Sequence, residues 1–555
     1  MTTIKEETPV DTFIPQQVDV LLVGLGPVGA AAANLLGRHG VRTLAIDKAK
    51  EIYTAPRAIV LDNEALRILQ MAGLEDGAFA TLAVPKVEMH SPLFGNYARA
   101  YTAGHVDCHP RLVTFFQPEL ERVLRERLAR HACVDTALGV ELTGFEEHAG
   151  GVRATLLLED GRTQQVEARY LVGADGAHSR VRRLAGIAFD GKTFSQDWLV
   201  VDAVDVPVPI DHVEFICDPR RPSPHMAAPG NRQRWEFMLH PGETHEQMER
   251  PEQIRRLLAP WCDADRATIE RTAVYRFHAR IVDRFSAGRV FLAGDAAHIT
   301  PPFVGQGLVA GLRDVANLCW KLAWVVQDRA APAILDSYDA ERRPHAKSII
   351  QMALWMGRLV MPRNRLAAFG VHGLMALLQA IPFTRSYFQD LKFTPPNRFR
   401  RGLFRPGRGG SRLVRGAPLP QGLVRRSVDT PCVPSDDVFG QALALVGFGC
   451  DPALQLSPGL SAQWEAAGGR ILHLRHRGQP GDVARSWEDM TDALVPDAAP
   501  VGWVAVLRPD RTVMHDGPLD QLDRLVSEAL TLLGGPDPAA RPAAARAEAG
   551  PQLAA

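Results

Sequence analysis

"VDVLLVGLGPVGAAAANLLGRHGVRTLAID", residues 18–47, reads as strand, glycine turn, helix and strand in immediate succession. The apolar run ahead of the glycines is unbroken, as in a parallel strand buried on both faces. The turn is Gly24-Leu25-Gly26-Pro27-Val28-Gly29, and the second strand closes on Asp47 with Lys48 beside it. In a turn of this spacing the first glycine permits the tight bend and the second lets backbone approach a pyrophosphate. The third lets helix and strand pack closely. The helix N-terminus carries about half a positive charge and faces the phosphates. Asp47 is placed to accept hydrogen bonds from both hydroxyls of an adenosine ribose. A tight turn in any α/β protein has similar glycines; the flanking strands and an acid 23 residues after Gly24 favour a dinucleotide.

Two later stretches repeat the pattern. "ARYLVGADGAHSRVRR", residues 168–183, is a buried strand ending on Asp175-Gly176, with Ser179 and Arg182 one helical turn on. "GDAAHITPPFVGQGLVAGLRD", residues 294–314, follows a short strand at 289–293, and its glycine-rich run opens a helix. Taken singly, Asp175 fits a surface ion pair and Asp295 a helix cap. Three strand ends closing on glycine or acid fit the carboxyl edge of one parallel sheet, where such folds bind ligands.

Outward from these units, residues 195–285 change to short β-branched and aromatic segments ("WLVVDAV", "HVEFICD", "RWEFMLH"), which predict an antiparallel substrate-binding sheet. The expected plan is α/β: a Rossmann-like dinucleotide-binding domain over 1–194 that returns with helices at 286–391, and the sheet between. A linker arm follows at 392–439, a small α/β module at 440–534, and a Pro/Ala-rich disordered tail at 535–555. The arm has a single RGG that does not repeat, so RNA contact is not expected.

Lys and Arg total 63, as do Asp and Glu, so no global field draws the chain to nucleic acid. The seven cysteines form no CxxC pair and no Cys/His cluster. That disfavours a metal site or a disulfide framework and favours a reducing cytoplasm. The N-terminus lacks a signal layout, and the apolar run 366–381 is shorter than the roughly 20 residues of a spanning helix. The chain reads as soluble and without a membrane partner.

GxGxxG, DGxxSxxR and GDAAHxxPPxxGQG, in that order over residues 18–345, resemble the FAD-dependent aromatic hydroxylases, the phenol hydroxylase-like group A flavoprotein monooxygenases. The wording "PRAIVLDNEALRILQMAGL" (56–74), "RWEFMLHPGET" (234–244) and "ILDSYDAERRPHAKSII" (334–350) is similar to the branch acting on hydroxyphenylpropionates. The resemblance implies FAD at the Gly24–Gly29 turn, Asp47, Lys48 and Asp175. Gly294-Asp295 would hold the ribityl chain, and Gly305-Gln306-Gly307 would aim a helix at the flavin pyrimidine edge. Arg57 and Gln117 would also reach FAD. With one fingerprint taken by FAD, NADH would bind transiently as co-substrate. The implied reaction is ortho-hydroxylation of a phenolic acid by O₂, with 3-(3-hydroxyphenyl)propionate or 3-hydroxycinnamate giving the 2,3-dihydroxy product in aromatic catabolism. The 440–534 module resembles the thioredoxin-like domain of the phenol hydroxylase branch, here without a redox pair. A homo-oligomer is compatible with the family.

For substrate, Tyr275 in "VYRFHARIVDRF" resembles a tyrosine that reaches the phenolic oxygen; an interface-packed strand tyrosine is the alternative. Arg220, Arg221 and His225 are candidates for a propionate carboxylate. His298 reads as a packed or capping residue. Where the family continues Gly-Gln-Gly-Met-Asn, this chain has Leu308-Val309, placing an apolar side chain where an amide is expected beside the flavin. A polycyclic or drug-like phenol, and an FAD protein that does not hydroxylate, stay open as alternatives.

Overall fold

The computed structural model describes residues 14–534 except 55, 56, 363, 408 and 409; the stretch 535–555 read as a tail lies outside the described residues. Gln17–Val23 is a strand paired in parallel with Thr43–Asp47 on one side and Thr163–Gly173 on the other. Val134–Leu138 extends the parallel set beyond Thr43–Asp47, and Val290–Leu292 extends it beyond Thr163–Gly173. Val23 lies opposite Gly173, and Gly173 opposite Leu292. The three strand ends singled out in the sequence are therefore level at one sheet edge.

The turns at that edge are set by glycine. Gly24 has φ +102°, and a Cβ there would stand 2.4 Å from the Ala174 carbonyl oxygen. A Cβ on Gly29 would meet the Gly24 oxygen at 1.9 Å, so strand and helix approach as closely as backbone permits. The helix Pro27–Arg38 begins with proline in its first turn, where the missing N–H costs nothing. It packs on the helix Gly307–Val326, at Gly311, which lies against Val28 and Gly294.

The second sheet has eight strands and draws on more of the chain than the stretch 195–285. It begins at Phe189, and Lys86–Ser91 and Gly95–Tyr101 join it through a parallel pairing with Val213–Ile216. It is therefore mixed rather than purely antiparallel. Its period-two alternation sends Trp235 and Phe237 into an apolar layer under the helix Pro251–Leu258. Alternate residues of their strand, Arg234 and Glu236, line a cavity on the other face.

A third sheet of seven strands ends the described chain. Leu443–Phe448 and Gly469–Arg475 are parallel neighbours, and the hairpin of Trp503–Leu507 with Val513–Pro518 pairs antiparallel to Leu443–Phe448. Leu423–Arg425 and Val433–Pro434, inside the expected arm, add two strands to it. No single helix among the described residues is long and apolar enough to cross a membrane; Arg365–Ala380 and Pro382–Gln389 are bent by 107° at their junction.

Candidate functional site

A cavity of about 1150 Å³ runs from the level strand ends into the space beneath the second sheet. On the first side it is lined by Gly26, Pro27 and Val28 of the glycine turn, by Asp47, and by Arg57 and Gln117. Asp295, Gly305, Gln306 and Gly307 line the facing wall. Gly24, Leu25, Gly29, Lys48, Asp175 and Gly294 are not among the lining residues, and stand behind them as support. A Cβ at Gly26, Gly176 or Gly307 would meet no atom within 4 Å, so at these points bare backbone faces open space. Together with carboxylates at two strand ends and two helix N-termini, this is a donor set that fits FAD: N–H groups for phosphates, Asp47 and Asp295 for hydroxyls.

Supporting bonds hold this edge in shape. Asp47 accepts from the Leu25 N–H at 2.7 Å and from the Ala49 N–H at 2.8 Å. Gln117 accepts from the Arg57 and Ala58 N–H groups at 3.2 and 3.0 Å, fixing the loop that carries Arg57. Asp175 accepts from the Arg180 and Val181 N–H groups at 2.6 and 3.1 Å, so it ties its own turn. Arg182 donates to the Ala296 carbonyl at 2.9 Å, linking that turn to the Gly294-Asp295 loop.

The sequence reading missed a buried group at the centre of this edge. Asp314, on the helix Gly307–Val326, accepts from the Gly294 N–H at 3.1 Å, from Arg342 at 2.9 Å and pairs with His298 at 2.7 Å. Burial raises its proton affinity, but His298 and Arg342 outweigh that and hold the carboxyl below its ordinary range. Gln306 is fixed likewise, donating to Asp62 at 3.0 Å and accepting from Arg313 at 2.8 Å. Only the i, i+3 and i+4 spacing of Gly307–Asp314 hinted at this inward polar face. Val309 is fully buried in the apolar core and does not line the cavity, whereas Leu308 does. The apolar substitution there lies away from the cavity wall.

The far part of the cavity has an apolar wall of Val200, Val213, Phe215, Met226, Phe277 and Phe303. Phe277 stacks on the buried Trp198 at 5.3 Å, and Phe303 meets both rings edge-on. Tyr275 opens onto this space, its hydroxyl in contact with the Arg271 guanidinium and with Arg57 5.7 Å over its ring. Burial and the hydrogen bond to Tyr53 raise its hydroxyl above the usual range, against the pull of Arg271 and Arg57.

The three carboxylate candidates fall outside the cavity. Arg220 is paired with Asp218 at 2.8 Å and Arg221 with Glu243 at 2.6 Å. His225 is buried between Glu214 and Gln233, each at 2.9 Å. Partners in the adjoining loops and strands satisfy them, which the one-dimensional reading did not reveal. Arg111 lines the cavity instead, its guanidinium 3.4 Å from the Asp390 carbonyl. Among the described residues no cluster of His, Cys, Asp and Glu has a metal-binding arrangement.

Comparison with known proteins gives the same picture. The sequence family described as FAD binding domain matches residues 17–353, and the HcaD C-terminal domain matches residues 416–532. The chain is 36% identical to 3-(3-hydroxy-phenyl)propionate/3-hydroxycinnamic acid hydroxylase 2 of Burkholderia vietnamiensis, over 82% of this chain and 84% of that one. It is 34% identical to the Klebsiella pneumoniae 3-(3-hydroxy-phenyl)propionate/3-hydroxycinnamic acid hydroxylase, over 90% and 92%. Among solved structures, the flavin-dependent monooxygenase PieE with FAD and substrate superposes with TM-score 0.77 at 22% identity, covering 94% of this chain and 99% of that one. Aklavinone-11 hydroxylase with FAD and aklavinone gives 0.71 at 23%, covering 94% and 100%.

Proposed function

The chain belongs to the FAD-dependent aromatic hydroxylases, and from that premise we propose that it hydroxylates a phenolic acid ortho to its hydroxyl, with NADH and O₂ as co-substrates. The first substrates to consider are 3-(3-hydroxyphenyl)propionate and 3-hydroxycinnamate, the acids for which its relatives are named. The observation that carries this reading is the continuous cavity joining the dinucleotide edge to an apolar chamber, with Tyr275 on its lining.

Bound FAD would supply the redox chemistry, as hydride acceptor from NADH and as carrier of the oxygen atom destined for the ring. The chain's own residues bind and orient. N–H groups of the helices beginning at Pro27 and Gly307 would hold phosphate and the flavin edge, and Asp47 and Asp295 would accept from hydroxyls. Val200, Phe215, Phe277 and Phe303 hold the aromatic ring and exclude water. In this reading Tyr275 would meet the phenolic oxygen and Arg111 the carboxylate, a role supported by both lining the cavity.

The 440–534 module is read as thioredoxin-like, on the support of its hairpin, parallel pair and crossover helix Pro458–Ala466. Cys450 is the only cysteine in this module and is unpaired, which supports a structural rather than a redox role. All seven cysteines are free, in keeping with a reducing cytoplasm.

NADH oxidation by the purified yellow protein, with and without 3-(3-hydroxyphenyl)propionate, tests the proposal. Stimulation with a 2,3-dihydroxy product is expected. Stimulation yielding only peroxide would make that acid a mimic of the true substrate, and no response to any phenolic acid would sink the assignment.

A further inference from the structure

The strand Arg232–Met238 turns Arg234 and Glu236 toward the cavity, while Trp235 and Phe237 enter the apolar layer behind it. Glu236 is 9% exposed and lines the cavity beside its cross-strand neighbour Val200, with Phe215, Pro224 and Met226 on the same wall. Its carboxyl receives no hydrogen bond from any described residue. The cations nearest to it are engaged elsewhere. Arg234 donates to Asp202 at 2.6 and 3.0 Å, and to the Arg57 carbonyl at 3.2 Å. Arg271 lies 3.1 Å from Asp202 and contacts Tyr275. A buried carboxyl costs free energy unless something bonds to it, and the open side of Glu236 is the cavity. What belongs there is an apolar body carrying a hydroxyl donor.

We propose that Glu236 is a catalytic residue that accepts the hydrogen bond of the substrate's phenolic hydroxyl and takes its proton. This rests on the function proposed above. The O–H bond breaks, an Oε–H bond forms, and the electron pair stays on the phenolic oxygen and spreads to the ortho and para carbons. These become the nucleophilic positions that an electrophilic oxygen attacks. On rearomatisation the ring C–H bond breaks, its proton goes to water and its electron pair restores the ring, while Glu236 returns its own proton to the oxygen and is ready again. Burial raises the proton affinity of Glu236, with Arg234 and Arg271 opposing and Asp202 reinforcing, and so narrows the mismatch with a phenol.

The test uses the full-length FAD-loaded protein and Glu236→Gln, which keeps shape and hydrogen bonding but cannot hold the proton. Difference spectra of bound 3-(3-hydroxyphenyl)propionate across pH are expected to show phenolate in the native protein at a pH where the free acid is still a phenol. Glu236→Gln should lack that band and lose kcat about 100-fold with KM little changed. A ring-fluorinated analogue that ionises more readily should recover much of the rate. Glu236→Leu should melt no lower than the native protein, since it removes an unbonded buried carboxyl, so a lost rate there is not a lost fold. An unchanged phenolate band and kcat in Glu236→Gln would overturn the inference. So would reduced FAD content with a normal rate per bound FAD, which would place the carboxyl on the cofactor. If the native protein hydroxylates and Glu236→Gln equals it, only this inference fails; if the native protein neither binds nor responds to phenolic acids, the proposed function fails and takes the inference with it.

Discussion

Burial pushes the Asp295 carboxyl above its ordinary range, while the charges of Arg57 and His298 pull it back down. Hydroxyls that donate to it favour the ionised form, so binding them releases a proton. FAD affinity is therefore expected to rise with pH through this ionisation and to level off above it. Asp295→Asn should weaken FAD about 10- to 100-fold and flatten that rise, since an amide does not titrate. Quenching of FAD fluorescence, titrated at several pH values, reads both effects; a slope that survives the substitution would remove Asp295 from the ribityl chain. Arg111 is open to an equally direct check. With no carboxylate partner among the described residues, its charge is available to a ligand anion. Arg111→Leu is expected to raise KM for a phenolic acid about 10- to 100-fold, and to leave a phenol without a carboxylate unaffected. Equal losses for both ligands would make Arg111 a wall residue only.

The helix Gly307–Val326 shows what an element adds to its residues. Its N-terminus faces the cavity, and two turns later Asp314 reaches back to the Gly294 N–H, so one rigid rod fixes both the flavin-facing donors and the loop bearing Asp295. Asp314→Ala would leave Arg342 and His298 buried without their anion, at a cost of about 3–5 kcal/mol. Lower melting temperature together with loss of bound FAD is the expected result; a stable protein that keeps FAD would show that the loop holds itself. The strand–turn–helix units were legible in the sequence because each is local: Gly24, Gly29 and Asp47 lie within one βαβ unit and follow from close packing. The partners of Asp314 were not, because Gly294, His298 and Arg342 meet it only when helix and loop pack. The same holds for the two strands at 86–101, whose place in the second sheet depends on a parallel pairing distant in sequence. Arg220 and Arg221 misled for the converse reason: their partners Asp218 and Glu243 are nearby, but pairing is a property of side-chain direction that the residue string does not display.

At the scale of the whole molecule, the C-terminal sheet is bolted to the cofactor-binding part by buried ions. Arg67 makes a two-point bond to Asp436 at 2.7 and 2.8 Å. Glu341, wholly buried, accepts from Arg508 at 2.7 Å, from Lys321 at 2.8 Å, from Asn317 at 2.6 Å and from the Leu403 N–H at 2.8 Å. Three segments, the helix Gly307–Val326, the stretch at Leu403 and the loop at Arg508, thus converge on one carboxylate. Burial raises its proton affinity, but Arg508 and Lys321 outweigh that, and the carboxyl ends below its ordinary value of 4.5. A carboxyl depressed in the folded state contributes stability that is complete above its unfolded value and lost as pH falls toward the folded one. The native protein should therefore lose melting temperature as the pH drops below about 4.5, the ordinary glutamate value. Glu341→Ala takes the ion-pair partner from the buried Lys321 and leaves Arg508 with Asp510 alone, and should cost about 3–5 kcal/mol at neutral pH. Its acid limb should also be shallower than the native one, because the group that titrates there is gone. Denaturant unfolding of both proteins at neutral and acid pH measures the two quantities. A variant as stable as the native protein would show that apolar packing alone joins the C-terminal sheet, and parallel acid limbs would assign the acid sensitivity to other carboxylates, Asp314 and Asp436 first among them.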